Sequence, residues 1–136
     1  MKRFLPAVVM TFHFDLRKQK RSPKYLLPLY KQIIMKFYFV YIITNLNKTV
    51  LYIGMSSDIK RRITEHSKGL IEGFSKKYHC KYLGHYEKYE TPSEAISREK
   101  QIKKWNRKKK EALINENNPD WNFLNDMIFR VDDEYL

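Results

Sequence analysis

Between residues 37 and 66 the apolar positions change their rhythm. Phe37–Thr44 and Val50–Gly54 are runs of β-branched and aromatic residues, the composition of half-buried strands. Asn45-Leu46-Asn47-Lys48 supplies turn formers between them, so the two runs predict an antiparallel hairpin. Helical spacing follows: Ile59 and Ile63 share one face, and Arg62 and His66 share another. Ser56, Ser57 or Asp58 can accept from the free N–H groups that open this helix. Gly69 and Gly73 frame residues 69–78 as a loop, with Phe74 and Tyr78 expected to pin it to the core; the alternative has Tyr78 or Phe74 packing against a sugar or base. Lys81–Glu90 predicts a third strand, in which Tyr82, Gly84, Tyr86 and Lys88 alternate with Leu83, His85, Glu87 and Tyr89. Thr91-Pro92-Ser93-Glu94 predicts a helix start, with Thr91 as N-cap, Pro92 in the first turn and Glu94 completing a capping box. Ala95, Ile96, Ile102 and Trp105 are its expected inward face. Asn106 predicts the cap of another helix, ended by Asn117-Asn118-Pro119, after which Trp121, Phe123 and Leu124 pack a final turn. The order β-β-α-β-α-α predicts an α+β fold, a three-stranded antiparallel sheet flanked by helices.

This pattern occupies residues 35–127. Residues 1–34 lack a sustained period and are expected to form a basic, poorly ordered N-terminal extension; the alternative is an arm that adds phosphate contacts. Lys2-Arg3 before an apolar run resembles a signal peptide, but Pro6 and His13 interrupt the run and no small-residue cleavage site follows. Residues 128–136 are expected to be an acidic, frayed tail. No stretch approaches the length of a membrane span, so no membrane partner is expected. Net charge is +12, and its distribution sharpens the picture: residues 36–115 hold eighteen Lys/Arg against eight acids. A basic module with an acidic end suits a polyanionic partner. Cys80 is the only cysteine, so no intramolecular disulfide forms, which fits a reducing compartment and a cytoplasmic location.

Glu99 follows Ala95 by four residues and precedes Ile102 by three, so it falls within the apolar stripe of its helix. A carboxylate there calls for a cationic partner (Arg98, Lys103 or Arg62) or a metal ion, and Mg²⁺ needs only one or two protein carboxylates. Arg98–Lys110 carries eight basic residues on successive helices, Lys103 and Lys104 among them, and predicts a phosphate-tracking surface or a solvated face. Lys76 and Lys77 offer further phosphate contacts from the loop. His79, Cys80 and His85 lack a recognised zinc spacing.

The chain resembles the GIY-YIG nuclease family, its first triad being Phe39-Val40-Tyr41 and its second Tyr52-Ile53-Gly54. The steps from Tyr41 to Tyr52, from Gly54 to Arg62 and on to His66 match the family spacing, with Glu99 downstream. The likeness starts near Met35, so an upstream start codon would account for the extension, and it is greatest to small stand-alone members. Phe39 and Val40 stand where the family name has glycine and isoleucine; both suit a strand.

The resemblance implies a metal-dependent endonuclease that hydrolyses phosphodiesters, with DNA as partner and structure rather than sequence as the basis of selection. It implies Tyr41 as base or water-orienting group, Arg62 as electrostatic stabiliser, and Glu99 as the sole protein ligand of one Mg²⁺ or Mn²⁺ ion. Tyr52 and His66 would bind or relay protons, and Gly54 would admit substrate close to backbone. Lys76, Lys77, Lys103 and Lys104 are the expected substrate contacts. A further asparagine is expected, with Asn106, Asn117, Asn118 and Asn122 as candidates. The rival reading is a nucleic-acid-binding module, for DNA or RNA, with little or no turnover.

Overall fold

The computed structural model describes residues 36–132 and 135–136, so the expected extension over residues 1–34 lies outside the described residues. β1 (Tyr38–Thr44) and β2 (Leu51–Ser56) form the expected hairpin. Asn45 closes its turn, Oδ1 accepting from Thr49 N at 2.8 Å and from Val50 N at 3.1 Å. β3 (Tyr82–Tyr89) returns to the other side of β1, giving an antiparallel sheet of order β2-β1-β3.

Helices cover both faces of this sheet. α1 (Ile59–Ser67) starts at Asp58, whose Oδ1 accepts from Arg61 N at 3.0 Å, so of the three candidate caps Asp58 is the one used. It buries Ile59 and Ile63 against Phe39, Tyr41, Ile43 and Leu83. Each isoleucine removed from water stabilises by ~2 kcal/mol. α3 (Pro92–Lys103) and α4 (Arg107–Asn117) cover the opposite face, where Val40, Ile42 and Ile53 meet Ala95, Ile102, Leu113 and Ile114. Thr91 and Asn106 are the N-caps the sequence predicts, accepting from Glu94 N at 3.2 Å and Lys109 N at 2.9 Å.

Several expectations are corrected. The loop over 69–78 contains a short helix, α2 (Phe74–Lys77), with Gly69 and Gly73 at φ 68° and 114° where an L side chain would be strained. Phe74 and Tyr78 do not pin it to the core; they are 51% and 40% exposed. Ile96 is 40% exposed, because Ala95 and Ile102 alone occupy the buried stripe of α3.

The predicted alternation of β3 breaks at Gly84. Ile42 pairs with His85 but Ile43 pairs with Leu83, a bulge that leaves Gly84 as the extra residue. Leu83 therefore joins the α1 core beside Tyr86, while His85, Glu87 and Tyr89 turn toward α3.

The chain after α4 is also more ordered than expected. α5 (Asn125–Arg130) crosses residue 127, where the domain was expected to end, and Ile128 and Leu136 are buried in the α1 core. Asn125 covers the outer edge of β3, accepting from Leu83 N at 2.8 Å and donating to Lys81 O at 2.9 Å.

Candidate active site

Tyr41 sits on the central strand, opposite Gly54 on β2 and Tyr86 on β3. Its hydroxyl lies 2.9 Å from His66 Nε2, and His66 Nδ1 lies 3.1 Å from Ser75 Oγ. All three residues are 3% exposed or less. The rings of Tyr41 and Tyr52 both meet the His66 ring edge-on, with centroids 5.6 and 5.4 Å away. The helical spacing that sets Arg62 and His66 on one face of α1 thus delivers both to the face of the hairpin that carries the two tyrosines.

Burial governs the protonation of this cluster. It pushes the Tyr41 phenol up to about 12: the nearby Arg62 guanidinium opposes the shift, while Tyr52 and Glu99 add to it. Burial and Arg62 together lower His66 to about 4, against the attraction of Glu65. Near neutrality His66 is therefore an uncharged imidazole and Tyr41 an intact phenol. With Nδ1–H donating to Ser75, His66 Nε2 accepts the Tyr41 proton, giving a continuous Tyr41–His66–Ser75 chain.

Arg62 is held at its rim. Nη1 approaches Glu65 Oε1 at 3.4 Å, while the buried Nε has no hydrogen-bond partner among the described residues. The guanidinium also lies against the Tyr41 hydroxyl, and its side chain as a whole is about a third exposed, so it is its outer edge that is suited to an incoming phosphate oxygen.

Glu99 comes from α3, which packs against β1 and β2, and its charge is felt at Tyr41. Its side chain is 20% exposed, and Oε1 pairs with the half-exposed Lys103 ammonium at 2.7 Å. One carboxylate open to solvent on one side suits an ion that completes its shell with water and phosphate oxygens. Among the described residues no group of three or more His, Cys, Asp and Glu is placed to hold an ion.

Tyr41, Tyr52 and His66 thus form one contact cluster beside Arg62, with Glu99 near enough for its charge to bear on Tyr41, whereas the other predicted site residues divide. Gly54 meets the Tyr41 ring: a Cβ there would collide with the hydroxyl and Cζ, so the space expected for substrate holds the tyrosine. Lys76 and Lys77 lie on exposed α2, Lys76 paired with Glu72 at 2.6 Å. Lys103 serves Glu99, and Lys104 is the exposed C-cap of α3.

The basic run is partly structural. Arg98 binds buried Glu87, and Arg107 donates to the Thr49 and Lys48 carbonyls, both at 2.7 Å. Of the asparagines, Asn106 is a cap and Asn118 donates to Gly84 O and Asn122 O. Ser75 was not anticipated, because nothing local marks a loop serine as the partner of a helix histidine. Glu65 was legible as the residue three after Arg62.

Comparison with known proteins gives this cluster a family context. UPF0213 proteins of Staphylococcus aureus strains Mu3 and N315 are each 38% identical over 82 residues, covering 60% of this chain and 99% of theirs. The solution NMR structure of a UPF0213 protein from Bacillus halodurans is 26% identical, covers 60% of this chain and 85% of that one, and superposes with a TM-score of 0.40. No helix among the described residues is long and apolar enough to cross a membrane. The model of the GIY-YIG catalytic domain matches residues 37–112, more than half of the chain and all five residues of the cluster, and the chain belongs to that family, whose members are generally endonucleases.

Proposed function

We propose that this protein is a metal-dependent endonuclease that hydrolyses phosphodiesters in DNA, selecting structure rather than sequence. The observation that carries the reading is that Tyr41, Tyr52, Arg62 and His66 meet from β1, β2 and α1, with Glu99 of α3, a fourth element, near enough for its charge to bear on Tyr41. Phosphodiester hydrolysis needs an oriented water, charge stabilisation on the phosphorus centre and a stabilised leaving oxygen. Arg62 supplies a fixed, partly exposed cation. Tyr41 orients the attacking water through its hydroxyl, which is itself held by the hydrogen bond to His66 Nε2, with Ser75 receiving the Nδ1 hydrogen bond. Tyr52 packs against His66 and holds the imidazole in place.

Glu99 is the residue that would hold the divalent ion, which when bound supplies Lewis-acid stabilisation of phosphate charge. Lys103, paired with Glu99 at 2.7 Å, would then be available to DNA. A phenol raised to about 12 is a poor base near neutrality, so positive charge gathered with the substrate is needed to activate Tyr41.

One observation favours the rival, a binding module without turnover: the Glu99–Lys103 pair already satisfies the carboxylate. The test is incubation of the full chain with labelled duplex, single-stranded, flap and four-way-junction DNA, with Mg²⁺, Mn²⁺ or EDTA. Metal-dependent strand scission, fastest on branched or flap substrates, is the expected result. Tight binding with no scission of any substrate would favour the binding module.

A further inference from the structure

α2 and its C-cap residue Tyr78 carry two partly exposed aromatic rings beside the cluster. Phe74 and Tyr78 are one helical turn apart, 51% and 40% exposed, with ring centroids at 4.6 Å. Phe74 stacks on Tyr52 at 6.4 Å with 21° between the planes, and Tyr52 meets His66 edge-on. A line of rings therefore leads from the buried Tyr41 hydroxyl out to the surface. The same segment borders an open concavity of about 650 Å³ lined by Lys68, Lys76, Lys77 and Lys81, with Glu72 as the one acidic residue of its wall. Lys77 also lies over the Tyr78 ring at 5.4 Å.

Exposed rings could serve a protein partner, but four lysines against one glutamate favour a polyanion. A nucleic acid that brings its phosphates to the lysines can also stack a base on the rings. Inside a duplex every base face is covered by its neighbours, so an unpaired base is the one that has a face to offer. We propose that Phe74 and Tyr78, with the lysine-lined concavity, form a subsite for an unpaired stretch of DNA next to the scissile phosphate. Bases stack on the two rings while the flanking phosphates enter the concavity. The position beside the scissile phosphate rests on the nuclease reading above; the binding itself does not.

The test uses the full chain in EDTA, where DNA stays intact. Binding of a labelled poly-thymidine strand and of a duplex of equal length is followed by anisotropy for wild type, Phe74→Ala/Tyr78→Ala and Phe74→Trp. A strand carrying 2-aminopurine reports stacking by quenching. The double substitution is expected to weaken single-strand binding by about tenfold or more, to change duplex binding by less than about twofold, and to abolish the quenching. Phe74→Trp is expected to retain both affinity and quenching. Equal losses on the two DNAs, or no loss on either, would overturn the proposal. Should the double variant fail to fold by circular dichroism, loss of single-strand binding in folded Phe74→Trp would overturn it, and retention would support it. Absence of cleavage when Mg²⁺ or Mn²⁺ replaces EDTA, alongside an intact single-strand preference, would count against the nuclease reading alone.

Discussion

Gly54 and Tyr41 face each other across the hairpin, and the tyrosine ring fills the room that a side chain would take. The ring can lie flat enough to reach His66 because its strand partner has no Cβ. Gly54→Ala is therefore expected to push the hydroxyl off His66 and to cost roughly 1–3 kcal/mol of stability. Urea titration would measure the loss; an unchanged midpoint would contradict the packing described here. The five residues of the cluster were legible in the sequence because their spacing is local to one hairpin and the helix after it, with Glu99 alone supplied from a distance. Ser75 was illegible for the opposite reason. Its contact with His66 depends on how α2 folds back, and no periodicity carries that information.

β3 and α3 are joined by a buried polar network that the strand pattern did not predict. Glu87 accepts from Tyr89 at 2.6 Å and from Arg98 Nε at 2.8 Å, and its Oε2 lies 2.8 Å from His85 Nε2. Burial raises the Glu87 carboxyl, but the hydrogen bonds from His85, Arg98 and Tyr89 outweigh it and hold the group at about 2, below its ordinary 4.5. Its stabilisation is thus present above about pH 4.5 and is lost as pH falls toward 2. His66, lowered from 6.5 to about 4, adds an earlier loss between those values. Glu87→Gln, which leaves Arg98 without its buried counter-charge, is expected to cost about 3 kcal/mol near neutrality. It should also flatten the acid limb below pH 4.5 while sparing the limb above it. Thermal melts across pH would measure both, and an unchanged acid limb would contradict the assignment. The hairpin and the caps at Thr91 and Asn106 were readable because turn and capping chemistry is short-range. The bulge at Gly84 and α5, which has no side-chain cap, are set by long-range partners such as Asn118 and Asn125.

Taken as a whole, the molecule divides its positive charge between scaffold and surface. Arg98 and Arg107 hold helices to the sheet and its turn, while the lysines around α2 and at the end of α3 remain at the surface beside the cluster. That arrangement suits a protein that grips a polyanion through lysines and acts on it through a partly buried cluster of the hairpin and its flanking helices. The basic excess in the sequence pointed to such a partner, but only the folded chain separates the structural cations from the available ones. In the proposed function Glu99 serves the chemistry and not the grip. Its most direct test is single-turnover cleavage of labelled flap DNA with Mg²⁺ by wild type and Glu99→Ala, with DNA affinity measured on the same preparations. Cleavage is expected to fall by about a hundredfold or more, with affinity unchanged or raised as Lys103 is released. Cleavage by Glu99→Ala at the wild-type rate would contradict that role.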